Sequence, residues 1–427
     1  MSWLSINDLA FYVPIGLIGI WRWMVWSIKK IASVFYEEIP PEALQEKMTL
    51  SVVSPVYNED PDILRKAIES WRNNKPEEII LAVDRTDIEN IKLCQSFSGT
   101  PDVMIQTIVI EEPGKRPALA AGIRAATGQI VALVDSDTIW ENGLKEKALA
   151  PFSIEKIGGV VTRQNAYETK SVWQKITDIM WDIRNFDEWT SQIAMGKVVT
   201  CLSGRTAFYR RYIILPVLEQ FLNEIIFGKK KESGEDKCLT RLIQDAGWHT
   251  YYQKSARVYS SAADNFRQFW NQRLRWTRNS YNSDLVSLSQ SWTWRHPYLA
   301  FYMIDRFISP FTTALSPIFF IHAIYYQHWI IVTSLLIWWT FSRGIKIIPH
   351  IKNKPKDIII LPIYVLASFI IAIAKIYAMV TIRDQKWIRA GEERKEKTTD
   401  KIRRIVIPAF LMGMIFYGLF YLVFFFL

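Results

Sequence analysis

Residues 307–342 form 36 consecutive positions without a charged side chain. A bilayer's hydrocarbon core takes roughly 20 helical residues, so this run is too long for one crossing and suits two. The stretch YYQHW near its middle supplies a turn. Residues 405–427 add 23 uncharged positions ending in FYLVFFFL, enough for one more helix. Residues 9–28 are interrupted only by Arg22 and followed by Lys29 and Lys30. That run lacks a basic leader and a small-residue cleavage site, so it reads as a retained anchor and not as a removed signal peptide. These runs place the chain in a membrane, and an apolar share of 50% with 14% aromatics agrees.

Lys and Arg after the anchor put the following segment in the cytoplasm. Residues 358–374 form a 17-residue uncharged run with Lys and Arg on both flanks, RGIKIIPHIKNKPKD before and KIYAMVTIRDQKWIRAGEERKEKTTDKIRR after. A full crossing would strand one basic flank outside, so the expectation is a re-entrant or interfacial element, with a channel beside it. Asp305, Arg306, Arg343 and Lys375 sit near the ends of the apolar runs, where snorkelling to the interface is the default. The few polar positions within the runs argue against an ion pump. The formal charge of +10 fits a basic cytoplasmic face against anionic lipid or phosphate-bearing substrates. Cys94, Cys201 and Cys238 lack zinc spacing and read as packing residues.

Between the anchor and the long apolar runs the chain is mixed and charged. MTLSVVSPVYNED gives a strand at 50–54 running into Tyr57, Asn58 and Glu59, and EEIILAVDRTD gives a strand at 79–83 ending in Asp84. GQIVALVDSDTIW gives a third at 130–134, followed by Asp135-Ser136-Asp137. Helical stretches separate them, the pattern of a mostly parallel α/β sheet. Ligands of such sheets bind beyond the carboxyl ends of the strands, where all these acids fall. Asp135 and Asp137, one residue apart in extended chain, can share a hard divalent cation, Mg²⁺ or Mn²⁺, with substrate phosphate. In EEPGKRPALAAGIRAATG, Lys115 and Arg116 open a helix; cations there cost stability unless an anion binds.

In order along the chain stand VYNE, Asp84, PGKR, VDSD, GGVVTRQN, CLSGRTAFYR, GEDKCLTRLI and QRLRW. This series resembles the processive, membrane-embedded family-2 glycosyltransferases with a GT-A fold, the superfamily of hyaluronan, cellulose and chitin synthases. The motifs are most similar to those of the type 3 pneumococcal capsule synthase and of hyaluronan synthases. The resemblance implies that Tyr57, Glu59 and Asp84 hold the uridine, with Lys115 and Arg116 near the nucleotide. It implies that Asp135 and Asp137 hold the nucleotide sugar, Asp137 directly on the metal. Asp236 of GED, with Glu235 beside it, would be the general base. Gln272, Arg275 and Trp276 would form the acceptor and diphosphate end, with Ser203, Gly204 and Arg205 on the acceptor side. Arg205 stands where hyaluronan synthases usually carry proline, and an extra cation there suits an acidic sugar. A gating loop is represented by QKWIRAG, which keeps Trp387 and Arg389 but not the middle of the hyaluronan-type WGTR.

The resulting expectation is an anchor over 1–35, a cytoplasmic α/β GT-A domain over 40–262 and amphipathic interfacial helices over 263–300. Two spans over 303–345, a re-entrant segment and loop over 346–400 and a last span over 405–427 follow. The expected activity is inverting, metal-dependent polymerisation of UDP-sugars, with the polymer leaving through the protein's own channel. The partners are a UDP-sugar, the growing polysaccharide and membrane lipid; nucleic acid is not expected, and the sequence requires no partner protein. The rival readings are a transferase adding one sugar to a lipid carrier and a catalytically dead scaffold. The intact acidic set opposes the latter.

Overall fold

The computed structural model describes residues 6–99, 102–384 and Gly413. Apart from Gly413, the expected last span at 405–427 and the loop bearing Trp387 and Arg389 lie outside the described residues.

Helix α1 (Ile6–Val34) precedes an eight-stranded sheet. Strands β1 (Leu50–Val56), β2 (Glu78–Asp84), β3 (Met104–Ile110) and β4 (Ile130–Val134) alternate with α2 (Pro61–Asn73), α3 (Ile88–Ser96) and α4 (Lys115–Ala125). β1, β2 and β4 are apolar runs because both of their faces are covered; every residue of β4 is buried. Local chemistry sets the turns into the helices. Asp60 Oδ1 accepts the Asp62 and Ile63 amides, and Pro61 occupies the first helical position, where its missing N–H costs nothing. Gly122 lets α4 lie on β1, since a Cβ there would strike Val53 Cγ1.

The later strands are β5 (Ile139–Trp140), β6 (Ile157–Ala166), β7 (Thr206–Arg210) and β8 (His249–Ser260), in the spatial order β3-β2-β1-β4-β7-β6-β8-β5. All neighbours are parallel except at β7 and β5. The inverted β7 matters for function, because it brings the start of CLSGRTAFYR alongside the end of β4, with Thr206 opposite Val134.

Helices α5 (Val172–Ile183) and α6 (Trp189–Gly196) are joined without a break by a π turn at Arg184–Glu188. A reciprocal Ser171–Gln174 capping box starts α5. The chain continues through α7 (Glu235–Asp245), α8 (Phe266–Leu288), α9 (Pro297–Tyr325), α10 (Trp329–Lys346), α11 (Ile348–Asn353) and α12 (Leu361–Val380). Among the described residues three helical stretches are long and apolar enough to cross a membrane: Ala10–Val34, Pro297–Tyr325 and Pro355–Val380. The second span expected in 303–345 is α10, which is not among them. Its 18 residues are diluted by Trp329, Trp338 and Trp339 and by Arg343 and Lys346 in the last turn.

The 358–374 run, expected as a re-entrant or interfacial element, forms one unbroken helix, α12, entered through a 3₁₀ turn at Pro355–Ile360. Pro362 stands at the start of α12, where its missing N–H costs nothing, and no breaker follows it before Val380. Asp305 and Arg306 do not snorkel. Asp305 takes Arg22 and Lys29 of α1, the latter at 2.9 Å, and Arg306 pairs with Asp284 of α8 at 2.7 Å. The long helices are thereby joined to each other and to the sheet domain by buried charge.

Candidate active site

The carboxyl ends of β2, β1 and β4 lie side by side and present Asp84, Glu59, Asp135 and Asp137 along one edge. Asp84 Oδ1 accepts from the Thr86 amide at 3.0 Å and hydroxyl at 2.6 Å, fixing its own turn. Tyr57 and Glu59 are half-buried. Glu59 Oε2 accepts from the Ser136 hydroxyl at 2.7 Å, which bolts the β1 loop to the Asp135-Ser136-Asp137 turn. Burial raises the Glu59 carboxyl to about 7, with Asp137 and Asp135 adding repulsion against the opposing Ser136 hydrogen bond. Burial and then Asp135 raise Asp137 as well, while Ser261 N–H donates to its Oδ2 at 3.2 Å.

Lys115, the first residue of α4, places its ammonium 2.6 Å from Asp135 Oδ1 and 2.5 Å from Glu235 Oε1. Burial works against its charge, but Asp135 and Glu235 more than offset that and hold it protonated. Glu235 and Asp236 open α7 behind Gly234, whose φ of 82° is the left-handed conformation that glycine adopts at no cost. Asp236 Oδ2 lies 3.4 Å from the Gly204 amide and Oδ1 2.7 Å from the Lys237 amide. Both carboxyls pay for burial, but Lys115 pulls Glu235 down, whereas the neighbouring Glu235 charge helps push Asp236 up. A pair of carboxyls driven apart in this way divides its work: the lower one anchors a cation and the higher one takes protons. A small cavity opens between Lys115, Asp135, Gly204, Glu235 and Asp236, backed by apolar Leu119 and Leu239.

The acceptor-side residues approach through β7. Ser203 and Arg205 are buried, and the Arg205 carbonyl accepts from the Asp135 amide at 3.3 Å. On α8, Gln272 Oε1 is buried without a partner, and Arg275 is half-exposed. Trp276 is half-buried with two guanidiniums against its ring, Arg205 at 4.8 Å and Arg273 at 4.4 Å from the centroid.

Arg116 does not join the site. It is 3% exposed and donates to the Phe221 carbonyl at 2.5 Å and to Glu224 at 2.6 Å, where it braces the segment before α7. Several contributors were not foreseen: Ser136, the Arg273 guanidinium within QRLRW, and Arg184 and Gln164 behind Arg205. Ser136, Gln164 and Arg273 stood inside recognised motifs, VDSD, GGVVTRQN and QRLRW, whereas Arg184 did not.

Asp178, Asp182 and His350 also bring ligand-type atoms within 4.8 Å of one another, a composition that could hold a metal. Lys354 Nζ at 2.7 Å from Asp178, and the Asn165 amide bridging both carboxylates at 3.1 and 2.9 Å, already fill that space. His350 bonds Asp182 at 2.8 Å and Asp357 at 3.2 Å. This is an ion-pair network joining α5 to α11 and the entry of α12.

An α/β sheet with carboxylates on its strand ends and a deep carboxylate opposite them defines a sugar-transfer enzyme of the GT-A type. Residues 48–279, more than half of the chain, match the family described as "Glycosyltransferase like family 2", and the chain belongs to that family. It is 25% identical over 391 residues to hyaluronan synthase of Streptococcus pyogenes, spanning 87% of this chain and 90% of that protein. It is 26% identical over 361 residues to an N-acetylglucosaminyltransferase of Rhizobium meliloti (79% and 80%). A type 2 glycosyltransferase of Pyricularia oryzae is 25% identical over 394 residues (86% and 78%). The fold is shared with the mannosyltransferase PcManGT of Pyrobaculum calidifontis, solved with GDP-Man and Mn²⁺ (TM-score 0.55, 14% identity, 89% of this chain and 98% of that one). The protein is a glycosyltransferase with membrane-spanning candidate helices.

Proposed function

We propose that this glycosyltransferase polymerises sugars from UDP-sugar donors by inversion at the anomeric carbon and passes the product through its membrane helices. The observation that carries the chemistry is the placement of Asp236 across one small cavity from Asp135 and Lys115, with Gly204 between them. The reading takes α1, α9 and α12 as spans, with the sheet domain on the cytoplasmic side where Lys29 and Lys30 follow the anchor.

The Asp135–Asp137 pair fits a divalent cation. Both are half-buried carboxylates on one strand end, and their mutual repulsion and the raised Asp137 carboxyl are what a cation would relieve. Mg²⁺ or Mn²⁺ bound there would stabilise charge developing on the departing diphosphate. Tyr57, Glu59 and Asp84 hold the uridine in this reading, and Lys115 faces the phosphates. Asp236 accepts the proton of the acceptor hydroxyl as that oxygen attacks the anomeric carbon. The bond from that carbon to the diphosphate oxygen breaks, and UDP leaves with the electron pair. Gln272, Arg275 and Trp276 line the acceptor end, with Arg275 free to turn to the diphosphate.

Purified protein given UDP-glucose, UDP-glucuronate and UDP-N-acetylglucosamine, singly and in pairs with Mn²⁺, tests the reading. Release of UDP with high-molecular-weight product supports it. A product that stops at one addition, or sugar found on a lipid carrier, replaces it with single-sugar transfer.

A further inference from the structure

We propose that Arg184, Arg205, Arg273 and Gln164 form an anion-binding subsite beside Trp276 that takes the carboxylate of an acidic sugar in the acceptor chain. The inference rests on the polymerase reading above and adds the class of acceptor.

The three guanidiniums come from three separate elements: the π turn, the segment before β7, and α8. Arg184 Nη2 and Arg205 Nη1 both donate to Gln164 Oε1, at 2.7 and 3.1 Å, and Arg205 Nε donates to Ser260 Oγ at 2.9 Å. The Arg205 guanidinium also lies 4.2 Å from the Trp181 ring centroid. Arg205 and Arg273 share the Trp276 ring. None of the three arginines forms an ion pair with a carboxylate among the described residues. Arg116 and Arg241 pair with Glu224 and Arg306 with Asp284, and Arg210, buried without a carboxylate, gives its donors to the Ile157, Phe152 and Ile154 carbonyls instead. Arg205 is buried and Arg184 and Arg273 are half-buried, and guanidiniums held this deep without a carboxylate favour an anion that the described residues do not supply.

The orphaned atoms give the same sign. Arg273 Nε and Nη2, Arg184 Nε, Trp181 Nε1 and Gln164 Nε2 are buried donors without acceptors among the described residues, and Gln272 Oε1 is a buried acceptor left over on α8. Burial, then repulsion from Arg205 and Arg184, lowers Arg273 to about 9. Arg205 falls to about 10 through burial and Arg184, although Asp135, Asp137 and Asp236 act on it in the other direction. Asp135 and Asp137 belong to the donor side and Asp236 is the base candidate, so the cluster borders the reaction site. A guanidinium fork matches a carboxylate in two parallel hydrogen bonds. Two tryptophan rings and an amide in the same place suit the ring and hydroxyls that carry it.

The test uses the full-length protein in detergent without donor. Tryptophan fluorescence reports binding of a glucuronate-containing tetrasaccharide, of its carboxyl-reduced neutral counterpart, and of dodecyl phosphate. The acidic tetrasaccharide should bind at least about tenfold more tightly than the neutral one, the loss expected when a charged hydrogen-bond pair is broken. Arg273→Gln should erase that preference, with Arg273→Lys retaining part of it, while both variants still bind UDP with Mn²⁺, which verifies folding. Equal affinity for the two tetrasaccharides, a preference that survives Arg273→Gln, or tighter binding of dodecyl phosphate than of the acidic sugar would overturn the assignment. Product length is measured separately: single additions sink the polymerase reading without altering this comparison, and long product with indifferent acceptor binding sinks the subsite alone.

Discussion

Lys115 Nζ lies 2.5 Å from Glu235 Oε1, so the first residue of α4 is locked to the first residue of α7 across the cavity. The same ammonium reaches Asp135 at 2.6 Å. The starts of α4 and α7 and the end of β4 therefore meet on one cation, and the base candidate Asp236 sits one residue beyond the contact.

Replacing that cation should have two separable effects. Lys115→Met removes the charge facing the phosphates, and kcat/KM should fall by at least about 100-fold, the scale for losing one preorganised charge-stabilising group. Lys115 also lowers the pKa of both Glu235 and Asp236. Without it both carboxyls rise, so the acid limb of the residual pH–rate profile should move to higher pH. An unmoved limb with normal UDP release would remove Lys115 from the site.

Asp236→Asn keeps the size of the side chain and one acceptor oxygen for either the Lys237 or the Gly204 amide, but cannot accept a proton. UDP release in the presence of acceptor should drop by about 10²–10⁴, the range of general-base catalysis, with UDP affinity within about threefold of the parent. Isothermal titration with UDP and Mn²⁺ alongside a coupled UDP assay separates the two. A fully active variant would assign the base elsewhere.

Glu59 gives the protein a pH-dependent weakness. Its folded carboxyl stands near 7, above the ordinary carboxylate value, so the folded state binds the proton more strongly than the unfolded chain. The stability it contributes is complete below the unfolded pKa and is lost as pH rises through about 7. The nucleotide-free protein should melt lower at pH 8.5 than at pH 6, by an amount that reflects about 1.4 kcal/mol from this residue, because pH 6 lies only about one unit below the folded value. Glu59→Gln should flatten that difference and raise the melting temperature at pH 8.5. A variant whose pH dependence matches the parent's would count against this account.

The strand-end acids were legible because parallel strands covered on both faces read as apolar runs, and the run over 130–134 ends squarely in Asp135-Ser136-Asp137. Glu59 and Asp84 followed for the same reason. Arg116 could not be separated from Lys115 by reading, yet successive helix residues point about 100° apart, enough to send one to the cavity and the other to Glu224. The insertion of β7 between β4 and β6 is a long-range pairing without a local signal, so the proximity of Arg205 to Asp135 rested on resemblance alone. The π turn at Arg184 and the missing partners of Arg273 are features of packing, which periodicity does not encode.

Asp284 offers the sharpest stability test, because it links the catalytic domain to a candidate membrane span. Its carboxylate is 1% exposed and lies 3.3 Å from Lys237 Nζ on α7 and 2.7 Å from Arg306 Nη1 on α9. Asp284→Ala leaves two buried cations facing each other, and breaking a buried pair in this way costs about 3–5 kcal/mol. The variant should therefore melt well below the parent in detergent. Lys237 follows Asp236 directly, so loosening it should also lower kcat more than donor affinity. The double variant Lys237→Met/Asp284→Ala should recover part of the lost stability, since it removes one stranded charge with its partner. Additive losses in that cycle would show that Lys237 and Asp284 do not act as a pair.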